Sequence, residues 1–379
     1  MGNNVHYISD RVAYFTSDEL WIEGLAIQQL QNTANLPHMH RVMGMPDLHP
    51  GRGYPIGAAF FSWEHFYPAL VGNDIGCGMA LWQTDILRRK YNAEKFEKRL
   101  GAFEDHADEC WLNEHLPDDL MAHPWRSALG SIGGGNHFAE LQQVDTIFDS
   151  VRFQQAGLDS QHLLLLAHSG SRGLGQAILQ RHIARFSHGG LAQGTAAAED
   201  YLAEHDDALA FARANRWLIA TRILQQVRAS GTAAFDIAHN FVESCTLGGQ
   251  QGWMHRKGAT PDNRGLVIIP GSRGDYSWLV QPIACEDTLL SLAHGAGRKW
   301  MRGECKGRLS GKYSPLQMAR TELGSRVICR DKQLIYEEAP QAYKSVDSVI
   351  ACLQQAGVVE PVARLRPVLT LKTSGGKHV

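Results

Sequence analysis

Two kinds of hydrophobic pattern alternate along this chain. Short, nearly continuous apolar runs end in clusters of glycine, proline and small polar residues, while longer stretches place an apolar residue every three or four positions. The first kind predicts strands buried on one or both faces, and the second predicts helices laid against them. Leu163 to Ala167 is the clearest buried strand, and it ends at His168. Ile56 to Phe61, Ala69 to Val71, Met79 to Trp82 and Gly265 to Ile269 read the same way, whereas Met45 to Gly53 reads as turns and short strands. Phe235 to Glu243 alternates, which predicts a single strand with His239 and Asn240 on opposite faces. Among the helices, Thr16-Ser17-Asp18-Glu19 has the form of a capping box ahead of a segment carrying Leu20, Trp21, Leu25 and Leu30. Arg88 to Trp125 is charged and helical in period, Gln176 to Ser187 predicts a helix after the His168 loop, and Ala208 to Arg228 predicts a scaffold helix. A Gly/Ala-rich stretch from Gly189 to Ala198 reads as a flexible connection into that last helix.

Composition narrows the class. No low-complexity or Pro/Ser-rich stretch divides the 379 residues, so one large catalytic domain over 1–379 is expected. Hydrophobic residues at 44% and charged residues at 20% describe a soluble globular protein that can bury a sizeable core. The formal net charge of -2 shows no overall basic excess, so any nucleic-acid-binding patch must be local. Seven cysteines form no CxxC pair and no regular framework, which excludes a disulfide scaffold and a zinc ribbon and fits a reducing compartment. The amino terminus lacks a basic region followed by an apolar one, and His6 stands where a myristoylation signal needs Ser or Thr. With no apolar run near membrane-spanning length, the expectation is a cytoplasmic monomer that does not engage membranes.

Chemistry concentrates at the ends of the predicted strands. In Val71-Gly72-Asn73-Asp74-Ile75-Gly76-Cys77-Gly78-Met79 a carboxylate and a thiol stand three residues apart on a predicted connection between two buried strands, flanked by glycines that let the backbone turn and approach a ligand. An Asp and a Cys presented this way could share a metal ion, although a cysteine among glycines is otherwise a small buried hydrophobe. Gly133-Gly134-Gly135-Asn136-His137 followed by Glu140 pairs a glycine nest suited to an anion with an amide, an imidazole and a carboxylate. His168 leads into Ser169, Ser171 and Arg172, donors suited to phosphate oxygens. His239, in a strand, reads as a satisfied core histidine ahead of a ligand. Gly295 and Gly297 clear side chains from beside His294, and Arg298, Lys299, Arg302, Lys306, Arg308 and Lys312 follow with only Glu304 opposing them in sequence. That run is either a solvated helix face or a local basic patch. His106, His115, His123, His182 and His188 lack such settings and are expected at the surface or at caps.

In order along the chain stand M-P-D-x-H-x-G-x-G from Met45, D-I-G-C-G-M from Asp74, G-G-G-N-H-F-x-E from Gly133, H-S-G-S-R-G from His168, H-N at His239, R-K-G-A at Arg256, P-G-S at Pro270 and H-G-A-G-R at His294. This ordered set resembles the RtcB family of RNA-splicing ligases, with coverage from Met45 to Lys372. The resemblance implies an α+β fold with central β-sheets surrounded by helices. It also implies a manganese- and GTP-dependent ligase joining an RNA end bearing a 3′-phosphate or 2′,3′-cyclic phosphate to one bearing a 5′-hydroxyl. Carried across by motif, Asp74, Cys77, His137, His168 and His239 match ligands of two Mn²⁺ ions, with Cys77 bridging, and His294 matches the histidine that becomes guanylylated, with Arg298 beside it. Ligand type alone favours zinc, since manganese prefers oxygen donors, so manganese rests on the resemblance. The matching GTP and GMP contacts are Asn136, His137, Phe138, Ala139, Glu140, His239 and Asn240, then Pro270, Gly271, Ser272, Arg273 and Ser277, and finally His294, Gly295, Ala296, Gly297, Tyr343 and Lys372. Implied partners are broken tRNA or rRNA ends and an archease-like activator. Arg273 where the family usually has Met, Asn73 before Asp74, the tail beyond Lys372 and the shorter length mark a divergent bacterial branch, suited to repair of damaged tRNA or rRNA. Two other classes compete: a metallophosphodiesterase using the same ions, and a nucleotide-dependent RNA-binding regulator without turnover.

Overall fold

The computed structural model describes residues 4–101, 103 and 106–373. Two β-sheets carry the architecture, and helices cover their outer faces, which bears out the α+β expectation. The first sheet orders its strands as Val5–Ser9, Val12–Phe15, Met39–His49, Ile56–Ser62, Gln250–Lys257 and Asn240–Leu247. The second runs Gly231–Ala238, Gly78–Leu87, His162–Ser169, Phe138–Ile147, Val359–Leu371, Ser277–Pro282 and Val267–Pro270, with Arg326–Ile328 paired to Val359–Leu371. Leu163 to Ala167 lies in the second sheet with both faces covered, and each of these residues is at most 1% exposed.

Several elements differ from the hydrophobic pattern, each for a local reason. Phe235 to Glu243 is two strands, Gly231–Ala238 and Asn240–Leu247, on the edges of different sheets. His239 is the joint, where its N–H donates to Cys77 O at 2.8 Å and its carbonyl accepts from Ala259 N at 3.1 Å. Ala69 to Val71 is a turn of helix begun by Pro68, whose ring presets the helical φ at the first position, so Asp74 and Cys77 connect a helix to a strand. Met45 to His49 belongs to one eleven-residue strand. The capping box does not form: Thr16 N is used by Asn4 O, Ser17 bridges Leu20, and the helix begins at Gly24. Trp21 and Leu25 are exposed as a result. The stretch assigned as a flexible connection supplies the first turn of the helix Ala196–Val227, because Thr195 caps Ala198 N and the alanines that follow are strong helix formers. His182 is buried at 5% exposure with its ring bonded to Gly189 O, and is not a surface residue.

Both packing layers converge on the end of the second sheet where Cys77 and His168 emerge. Helix Ala196–Val227 lies over that sheet, with Ile219, Ala220 and Ile223 in its core. From the same helix Arg216 donates to Gly76 O at 2.6 Å, to Ser169 O at 2.9 Å and to the Asp236 carboxylate. Its neighbour Asn215 donates to Ser131 O, Ser169 Oγ and Gly170 O. Neither residue was singled out by the sequence, and both hold the loops that carry the candidate ligands. No helix among the described residues is long and apolar enough to cross a membrane.

Candidate metal and nucleotide site

A cavity of about 830 Å³ opens between the two sheets, a size typical of sites that enclose a nucleotide-sized ligand. Asp74 and Cys77 reach it from a tight turn in which Cys77 N donates to Asp74 O. Gly76 has φ 74°, and a Cβ there would meet the Ala212 methyl at 2.7 Å, so only glycine lets this turn sit against the long helix. His137 precedes the strand Phe138–Ile147, His168 lies near the end of His162–Ser169 in register with Phe138 and Met79, and His239 enters from the joint.

Five side chains converge there. Cys77 Sγ lies 3.3 Å from His137 Nε2 and 3.2 Å from His168 Nε2, His168 Nε2 is 3.4 Å from His239 Nε2, and Asp74 Oδ2 is 2.8 Å from His137 Nε2. All three rings turn Nε2 inward, and each Nδ1 is buried without a partner. Burial, followed by neighbouring imidazoles, pushes His168 and His239 well below the usual histidine range, so both present neutral lone pairs. Burial works to raise Asp74, but His137 outweighs it and brings the carboxyl down to about 2. Burial and Asp74 push the Cys77 thiol up. The donors sort into two sets, Asp74 with Cys77 and His137, and Cys77 with His168 and His239, within which all donor atoms lie inside 4.8 Å. The sulfur is common to both, so the arrangement fits two divalent cations sharing one thiolate.

Across the cavity, His294 follows the strand Ser291–Ala293, and its ring centroid lies 4.8 Å from that of His239. Its Nδ1 stands 2.6 Å from Oδ2 of Asp47, an ion-pair distance without hydrogen-bond alignment, and its backbone N donates to the same oxygen at 3.2 Å. Asp47 is fully buried and its Oδ1 has no partner. The sequence reading passed over this residue, although the M-P-D-x-H motif contained it. Lys257, from the R-K-G-A motif, was passed over too. It lines the cavity half-buried, its ammonium without a partner among the described residues, and burial brings that ammonium down to about 8.

The expected nucleotide contacts divide. Asn136, Phe138, Tyr343 and Lys372 line the cavity, as do the loops Pro270 to Arg273 and Gly295 to Gly297. Ala139, Glu140 and Ser277 stand outside its lining. Glu140 accepts from Gln142 at 2.7 Å and from Thr370 Oγ1, and burial raises it to about 7. Ser277 is bonded to Gln142. Asn240 reaches the cavity with its amide already engaged, donating to Asp74 O and accepting from Gly258 N. Arg273 donates to Ile335 O at 2.8 Å, and its Nε and Nη1 are buried without partners. The basic run after His294 is less free than its sequence suggests. Arg298 pairs with Glu338 at 3.1 Å and also bonds Tyr343 OH and Glu337 O, and Arg302 reaches Glu338 at 3.5 Å. Arg308 pairs with Glu304. Glu338, distant in sequence, is the opposing charge that local counting missed. Ser169 is likewise spent on Ile132 O, whereas Arg172 lines the cavity and bonds Ser131 Oγ.

The sequence profile of the family described as tRNA-splicing ligase RtcB matches residues 29–109 and 95–373. An RNA-splicing ligase RtcB2 from a strain of Escherichia coli is 72% identical over 377 residues, covering 100% of both chains. An RNA-splicing ligase RtcB from Escherichia coli K12 is 29% identical over 417 residues, covering 93% of this chain and 97% of its own length. A tRNA-splicing ligase RtcB from Nanoarchaeum equitans is 29% identical over 455 residues, covering 95% of each. The matched segments contain the cavity's lining residues from His49 to Lys372, and the chain belongs to the RtcB family.

Proposed function

We propose that the protein is a GTP-dependent RNA ligase that joins a 3′-phosphate or 2′,3′-cyclic phosphate end to a 5′-hydroxyl end through a guanylylated His294. The observation that carries this reading is the placement of His294 in one cavity with the two-set donor cluster, Nδ1 against Asp47 and Nε2 left as the nitrogen with an available lone pair. Family membership supports RNA as the substrate class. Two divalent ions, manganese on the family resemblance, would be held by Asp74, Cys77, His137, His168 and His239 and would supply Lewis-acid stabilisation of phosphoryl oxygens.

The chain's own groups account for the rest. Nε2 of His294 attacks the α-phosphorus of GTP, a P–N bond forms, and the bond to the β-phosphate breaks to release pyrophosphate. Lys257, its ammonium without a partner among the described residues, neutralises charge on the phosphates, and Arg172 flanks them. Arg298 is committed to Glu338 and Tyr343, so it shapes the wall and does not lead as a phosphate donor. A 2′,3′-cyclic end is first hydrolysed by water to the 3′-phosphate; an oxygen of that 3′-phosphate then attacks the phosphorus of the His294-bound GMP, a P–O bond forms as the P–N bond breaks and frees His294, and the RNA 3′-phosphorus is left activated by GMP. The 5′-hydroxyl attacks that activated phosphorus, forming the phosphodiester and expelling GMP. Lys372 and Tyr343 line the wall where the nucleoside would rest, with Glu140 behind them through Thr370.

Incubation with α-labelled GTP and manganese tests the reading. An acid-labile, base-stable label on wild type that is absent from His294→Ala is expected. No label on folded wild type, or a label persisting in the variant, overturns it.

A further inference from the structure

Strand Met39–His49 leaves its ladder just where Asp47 stands. Its pairing with Ile56–Ser62 jumps from Gly44 to His49, so the carbonyls of Pro46 and Leu48, on either side of Asp47, fall outside that register. Lys344 meets both: its Nζ donates to Pro46 O at 3.1 Å and to Leu48 O at 2.8 Å. The backbone N–H of the same residue donates to Gly297 O at 3.0 Å. Gly297 packs so closely on Asp47 that a Cβ there would meet the Asp47 carbonyl oxygen at 2.2 Å. One residue therefore ties the strand that carries Asp47 to the loop that follows His294.

Charge points the same way. Asp47 is fully buried and Lys344 is 8% exposed, and a carboxylate taken out of water needs a compensating cation nearby. Burial brings the Lys344 ammonium down to about 8, and Asp47 is the leading group opposing that shift. The ammonium spends its hydrogens on the flanking carbonyls, which leaves Asp47 Oδ2 to His294.

We infer that Lys344 is a positioning residue for histidine guanylylation: it balances the buried charge of Asp47 and holds Oδ2 against His294 Nδ1, so that Nε2 faces the nucleotide in one ring orientation. The inference rests on His294 as nucleophile, and adds a residue that touches neither nucleotide nor metal ligand. Holding a reacting group in one geometry is worth on the order of 10²-fold in rate per ångström of misplacement avoided.

Single-turnover labelling with α-labelled GTP tests it, read together with KM for GTP, bound metal content and melting temperature. Lys344→Met is expected to slow labelling on the order of 10²-fold while KM and metal content stay within about twofold of wild type. Lys344→Arg, which keeps the charge, is expected to recover about tenfold of that loss, and Lys344→Met in an Asp47→Asn background to add less than about twofold. Labelling by Lys344→Met within about twofold of wild type overturns the inference. So does a parallel fall of rate, GTP affinity and metal content, which is what a merely structural prop produces. Should Lys344→Met not fold, Lys344→Arg carries the same test: a slower rate with unchanged KM and metal content supports the role, and a parallel fall overturns it. An unlabelled wild type overturns the nucleophile itself, whereas a labelled wild type with an unaffected Lys344 variant overturns only this inference.

Discussion

Among the described residues, two groups of side chains bring metal-type donors within reach of one another, and only one is built as a site. Asp74, Cys77, His137, His168 and His239 converge in one cavity, all but Asp74 buried, with Nε2 atoms and a sulfur facing a common centre. His38, Glu64 and His65 also place donor atoms within 4.8 Å of one another, at the protein surface. There the two rings stack at 4.0 Å with 18° between their planes, so their lone pairs run side by side and do not converge. His38 Nδ1 rests 3.3 Å from Glu64, an ordinary exposed ion pair. Donor type and proximity are shared by both groups. Convergence, burial and a rigid backing distinguish them, because a ligand set holds an ion tightly only when its geometry is enforced from behind.

The largest effect should come from removing the atom that both donor sets share. Cys77→Ala is expected to lose bound metal at both positions, measured by elemental analysis, and to lower guanylylation on the order of 10³-fold or more. Undiminished labelling would reduce the buried group to the standing of the exposed one. Next is the backing: Arg216 is 2% exposed and holds Asp236, Gly76 O and Ser169 O together. Arg216→Met leaves the Asp236 carboxylate unpaired and should cost about 3–5 kcal/mol in denaturant unfolding. A loss below about 1 kcal/mol would show that the ligand loops hold themselves.

A smaller effect comes from pH, through Glu338 on the cavity wall. Burial works to raise Glu338, but Lys372, Arg302 and Arg298 outweigh it and bring the carboxyl down to about 2. Its folded-state value lies below its unfolded one, so its contribution to stability is present above about pH 4.5 and is lost as pH falls toward about 2. Denaturation midpoints across that range should fall with pH in wild type and flatten in Glu338→Gln. The smallest effect belongs to the surface group. His38→Ala with His65→Ala should leave metal stoichiometry unchanged, activity within about twofold and stability within about 0.5 kcal/mol. Loss of a bound ion in that variant would erase the contrast.

Asp74, Cys77, His137 and His168 were legible as candidate ligands because each sits in a glycine-rich or strand-end setting, whereas His239 joined the set only through the family resemblance. His168 could be placed at a strand end from its apolar run alone, and it stands there. Periodicity failed at His239, because one alternating run cannot announce that its two halves join different sheets. The helix was expected to start at a capping motif whose backbone groups had found other partners, so Trp21 falls outside it while Leu25 and Leu30 lie within it.

By itself the sequence determined which residues are candidates for the chemistry, in what order, and the mixed strand and helix class, since side-chain type and local hydrophobic period are properties of the chain. Only the tertiary structure decided which charges are spent and which are free. Glu338 reaches Arg298 across forty residues, Asp47 reaches His294 across nearly two hundred and fifty, and the Lys257 ammonium is left without a partner among the described residues. Electrostatic pairing depends on distance in space, and spacing along the chain does not encode it.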